Sequence, residues 1–124
     1  MTRPLVRLAL ARACGDQPYV AQAPIVCVFC ADPARSAVSQ GARGASLYCI
    51  QDATIACAYA QLAATALGLG SVWVGSIFEP ESIRDTLGLR AEERPVALLP
   101  LGYPAETPRP TSRRLLRDLV RVID

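Results

Sequence analysis

The sequence predicts one domain over residues 1–124, mixing helices and strands around a single long helix. Three observations predict it. The chain has the length of an ordinary domain, 124 residues, with no break in composition. Residues 53–78 carry no charge and are rich in Ala, with Gly68 and Gly70 as stops, which reads as a helix followed by a strand. Residues 25–30 and 95–101 are continuous apolar runs, the pattern of strands buried on both faces.

Each element follows from local chemistry. Residues 5–13 read as a short helix, because Leu5, Leu8, Ala9 and Arg12 recur at helical spacing, and Gly15, Asp16 and Pro18 end it. Pro24 introduces the first strand, and Asp32 with Pro33 closes it. Residues 34–45, holding Gly41 and Gly44, read as a loop or a broken helix. Ser46 is placed to cap the long helix over residues 47–67, with Asp52 near its positive end. That helix is apolar nearly all round, through Ala53, Ala56, Ala60, Ala63 and Ala64, so every side needs cover. A second subunit is the expected cover, and Glu at Ala60 or Ala64 is expected to break the pairing. Residues 71–76 read as a strand. Pro80 opens a short helix that stops at Gly88. Residues 113–123 set Leu116, Leu119, Val120 and Ile123 on one stripe and Arg113, Arg117 and Arg121 on another, which fits an amphipathic helix or an arm packed on a neighbour.

Composition excludes several functions. A net charge of +2 and 6% aromatic residues argue against nucleic acid and against an acidic membrane surface. The uncharged stretch is long enough to cross a bilayer, but Gln61, Thr65 and the two glycines make a helix and strand buried in protein the better reading. Five cysteines, an odd number lying in apolar runs, suit reduced core thiols and a cytosolic location. There is no histidine, which removes Ser-His-Asp hydrolysis, most zinc sites and imidazole acid–base chemistry. Any chemistry is expected to come from a cofactor.

The tempting motifs fail on context. Cys27-x-x-Cys30 lies in a strand, where an offset of three puts the thiols on opposite faces, and not at a helix start where the dipole would lower a thiol pKa. Gly68-x-Gly70 follows a helix and precedes a strand, the reverse of a dinucleotide fingerprint. Gly41 and Gly44 lack the Lys and Ser/Thr of a phosphate loop. The arginines at 109, 113, 114, 117 and 121 form the one charge cluster of interest. They are either the polar face of a terminal helix or a pair of guanidiniums for a phosphate.

An ordered set of features carries a family resemblance. The long helix bears Gln51-Asp52 near its start and ends Ala66-Leu67-Gly68-Leu69-Gly70-Ser71, and Val72-Trp73-Val74-Gly75-Ser76 follows. After Leu87-Gly88-Leu89 comes Arg94-Pro95-Val96-Ala97-Leu98-Leu99-Pro100-Leu101-Gly102-Tyr103-Pro104. This order resembles the C-terminal part of the FMN-dependent nitroreductases, most closely over residues 48–104 and more loosely over residues 5–120. The resemblance implies an α+β fold, a mixed sheet flanked by helices with the long helix at a homodimer core. It also implies FMN at the subunit interface, with NAD(P)H driving reduction of nitro compounds, quinones or flavins. Val74, Gly75 and Ser76 match the segment whose backbone faces the flavin ring, and Arg113 and Arg114 match the pair that contacts the FMN phosphate. No catalytic side chain and no metal are implied. The family's Arg-Arg-Ser-type segment and Asn-x-Gln-Pro-Trp-type motif are not found here, and Gln17-Pro18-Tyr19 sits in the wrong place to be the latter. A chain missing the N-terminal flavin-binding segment is therefore expected. Three functions follow: an FMN oxidoreductase, a non-catalytic relative that keeps the dimeric core with weak or no flavin binding, and a thiol module disfavoured by the strand geometry.

Overall fold

The computed structural model describes residues 2–123. Helix α1 (Pro4–Ala13) starts on Pro4 at its first turn, where a missing N–H costs nothing. A five-residue helix α2 (Pro18–Gln22) follows, then strand β1 (Ile25–Ala31). Next comes α3 (Pro33–Arg43), where a loop or broken helix was expected. Asp32 caps it, its side chain accepting from the Arg35 N–H at 3.0 Å. The break falls at Gly41, which has φ 58° and ψ −147°.

The chain does not stop there. A π turn (Gly44–Tyr48) carries it without interruption into α4 (Cys49–Ala66). Ser46 therefore sits inside the helical run and caps nothing, and Tyr48 before α4 already has helical dihedrals. Gly44 is what allows this path, because a Cβ there would run into the Ser36 carbonyl and the Gln40 side chain. Strand β2 (Gly70–Ser71), helix α5 (Pro80–Leu87), strand β3 (Arg94–Gly102) and a 3-10 turn (Leu116–Asp118) complete the order.

The sheet order is β1-β3-β2, and both pairings are antiparallel. β1 and β2 run the same way, joined through the helical layer, but β3 lies between them, so the expected mixed sheet has no parallel pair among the described residues. A bulge between Phe29 and Cys30 shifts the β1–β3 register.

The expected strand over residues 71–76 shrinks to Gly70–Ser71 and an isolated bridge at Val74, and the cause is one residue. Gly70 faces Gly102, Ser71 faces Leu101 and Val74 faces Leu98, so a single register runs through the whole segment. Val72 falls opposite Pro100 in that register. Proline has no N–H to donate, and the ladder opens there.

The two faces of β3 serve two layers. Leu98 packs with Leu10, Val20, Val26 and Ile83, under α1, α2 and α5. Ala97 and Leu99 pack instead with Cys57 of α4. Alternation along one strand thus ties both helical layers to the sheet. β1 is an edge strand, so Ile25 is exposed and Cys27 to Cys30 only half-buried, not covered on both faces. α4 turns Cys49, Ala53, Cys57 and Ala64 inward and leaves Ile55, Tyr59 and Leu62 exposed.

Candidate functional site

The segment matched to the flavin ring begins on a rigid point. Val74 is buried, and its N–H and C=O exchange 2.9 Å hydrogen bonds with Leu98. The chain then leaves the sheet, and Gly75 and Ser76 are exposed. Their N–H groups donate to nothing among the described residues, whereas the Gly75 carbonyl accepts from Ile77 at 3.0 Å. A Cβ on Gly75 would lie 3.2 Å from Trp73 Nε1, so the glycine keeps that approach clear. Beyond the turn, the Phe78 and Glu79 N–H groups both donate to the Ala13 carbonyl, at 3.0 and 3.2 Å. Residues 74–79 are thus pinned at both ends, with two free backbone donors in the middle.

The arginines matched to the phosphate are elsewhere. Residues 103–123 form an arm exposed throughout, with a single 3-10 turn, in place of the expected amphipathic helix. Arg113 donates to the Thr111 hydroxyl and, at 3.1 Å, to the Ser112 carbonyl, both within the arm. No hydrogen bond or ion pair among the described residues joins Arg113 or Arg114 to residues 74–76. Residues 74–76 are thus fixed to the sheet, whereas Arg113 and Arg114 lie in an exposed arm.

The thiols lie in the core layers. None is in a disulfide; Cys14, Cys49 and Cys57 are buried, and Cys27 and Cys30 are half-buried. Cys27 packs with Cys57 against Leu99. Burial pushes Cys14, Cys30 and Cys57 above the ordinary thiol range, with Glu93 adding to the rise at Cys30. These are poor nucleophiles at neutral pH. No cluster of potential metal ligands occurs among the described residues.

One polar region went unread in the sequence. A cavity of about 750 Å³ opens between α3 and the start of α4, lined by Arg35, Ser36 and Ser39 on one side and Tyr48 and Asp52 on the other. The missed signal was Asp32-Pro33, a capping residue with proline at the first helical position. Beside it, Arg90 bridges Asp32 at 2.9 Å and Glu93 at 3.1 Å, holding the start of β3 to the cap of α3.

The nitroreductase family model matches residues 2–103. The chain belongs to the nitroreductase family. Among its relatives, the oxygen-insensitive NADPH nitroreductase of Salmonella typhimurium is 36% identical over 109 residues, covering 83% of this chain and 45% of the relative. The FMN reductase [NAD(P)H] of Bacillus subtilis is 31% identical over 105 residues, covering 74% and 42%. In structure, the NADPH:FMN oxidoreductase of Vibrio harveyi, solved with NAD+, superposes with a TM-score of 0.84 at 28% identity, over 98% of this chain and 55% of that one. The nitroreductase fold anticipated from the sequence is therefore present, and the chain spans about half the length of the relatives it matches. No described helix is long and apolar enough to cross a membrane.

Proposed function

We propose that this nitroreductase-family chain is an FMN-dependent oxidoreductase, acting as a homodimer in NAD(P)H-driven reduction of nitro compounds, quinones or flavins. The observation that carries the reading is the pair of free N–H groups at Gly75 and Ser76, held off the Val74–Leu98 bridge. Backbone donors fixed in this way suit the polar edge of a flavin ring, and glycine admits its close approach. Arg113 and Arg114 supply the cations for the phosphate. The isoalloxazine, when bound, brings the electron transfer itself, so no side chain has to act as acid or base. A second copy covers the outer face of α4, where Ile55, Tyr59 and Leu62 recur at helical spacing.

The exposed arm favours one rival, a non-catalytic relative that binds flavin weakly or not at all. Flavin fluorescence titration separates the two. The oxidoreductase reading expects FMN to bind with a Kd on the order of micromolar, and loss of one arginine to weaken it by roughly tenfold to a hundredfold. Equal affinity in wild type and an Arg113→Ala, Arg114→Ala double variant would remove these arginines from the site. No binding by the wild type would select the non-catalytic relative.

A further inference from the structure

Helix α3 sets polar side chains along a cavity. Arg35, Ser36 and Ser39 line the cavity toward α4, while Val38 is 88% exposed to solvent. No residue of α3 is fully buried. Arg35 and Ser39 are exposed and Ser36 is half-buried, so the cavity is an open cleft with a polar wall that can take a polar occupant. The cavity, about 750 Å³, falls within the roughly 300–1,000 Å³ usual for small-molecule sites.

Its free valences define that occupant. Asp32 also lines the cavity beside Arg35, its carboxylate accepting from the Arg35 N–H and from Arg90. The side chains of Arg35 and Asp52 have no ion-pair partner among the described residues. The Tyr48 hydroxyl accepts from Arg43 Nε at 2.9 Å, which leaves its own proton to donate. One wall therefore offers a guanidinium and two hydroxyls, the donor set for a phosphate. The opposite wall offers the Asp52 carboxylate, which only accepts, and so suits sugar hydroxyls while repelling a second anion.

We propose that this cavity binds a phosphorylated ribose, with the phosphate on Arg35, Ser36 and Ser39 and the sugar hydroxyls on Asp52. Such a group occurs in a nucleotide or in a free sugar phosphate. The cavity shares no residue with the proposed flavin segment, so the two readings fail separately.

Calorimetry with three probes tests it: inorganic phosphate, ribose 5-phosphate and adenosine 2′,5′-bisphosphate. Wild type binds ribose 5-phosphate more tightly than inorganic phosphate, and Arg35→Ala weakens both by at least about tenfold. Asp52→Asn weakens ribose 5-phosphate and leaves inorganic phosphate unchanged or tighter. A bisphosphate tighter than ribose 5-phosphate assigns the site to a nucleotide, and the reverse order to a free sugar phosphate. Both substituted side chains are exposed, and circular dichroism checks that the variants fold. Absence of ribose 5-phosphate binding by folded wild type, or binding indifferent to Arg35→Ala, overturns the proposal. So does a fall in FMN affinity in Arg35→Ala, which would give the cavity to the flavin.

Discussion

Gly15 shows how much one position can constrain. It has φ +77°, and a Cβ there would sit 2.9 Å from the Phe78 ring. Gly15→Ala should destabilise the fold by about 1–2 kcal/mol, the usual cost of a side chain in the left-handed region, read as a lower urea midpoint. The sequence marks Gly15 as the end of a helix, but its contact with Phe78 spans about half the chain and has no local signature. Asp32 gives a pH-dependent prediction. The Arg35 N–H first, then Arg90, holds its carboxyl below the ordinary carboxylate range, and hydrogen bonds from Arg90 do the same for Glu93. Carboxyls with depressed folded-state pKa values stabilise the fold at neutral pH, and that contribution is lost as pH falls through those depressed values. Asn keeps the cap but not the charge. Urea midpoints of wild type and Asp32→Asn should therefore differ at pH 7, and the gap should close as pH falls below the ordinary carboxylate range. A constant gap across that range would assign the effect to something other than ionisation.

At the level of elements, the sequence revealed the long helix but not its orientation. A helix apolar on every side carries no stripe to say which side meets its own sheet. Ala64 proves to be buried and Ala60 packs beside Cys57, so Glu at either position also strikes the chain's own core. The dimer test moves to Tyr59→Glu and Leu62→Glu. Light scattering should show these variants at half the wild-type mass with their helical circular dichroism retained. Ala64→Glu should instead lower the urea midpoint sharply, because an unpaired charge is forced inside. Monomeric wild type at micromolar concentration would withdraw the second copy altogether. Residues 71–76 teach a complementary lesson. Their strand character was legible, and so was Pro100, but the gap appears only when the register places Val72 opposite that proline.

Across the whole molecule, the thiols are spread through every layer of the core. Cys14 packs under α1, Cys49 beside Ala53, and Cys57 with Cys27 against β3. Thiol labelling at neutral pH should consequently be slow at Cys14, Cys49 and Cys57 and rise to the rate of a free peptide only with global unfolding. Burial, which raises Cys14, Cys30 and Cys57, also makes their native labelling increase as pH climbs past the ordinary thiol range. Fast native labelling of both Cys27 and Cys30 would revive a redox role for that pair. The distribution of the candidate site explains what the sequence could and could not disclose. Residues 74–76 were legible because turn, glycine and strand are contiguous. The relation of Arg113 and Arg114 to that turn depends on where an exposed arm settles, and no periodicity encodes that.

The π turn Gly44–Tyr48 carries a consequence for insertions and deletions. A π turn closes its hydrogen bond one residue later than an α turn, so it stores a surplus residue within a continuous helix. Removing one residue from this turn would restore regular winding and rotate what precedes it by about 100° relative to α4, since 3.6 residues make a full turn. The angular phase of α3 is thus set by that surplus residue together with the break at Gly41. A one-residue deletion there should leave the helix content almost unchanged while swinging Arg35, Ser36 and Ser39 away from Asp52. In this segment length, rather than composition, sets which chemistry meets which.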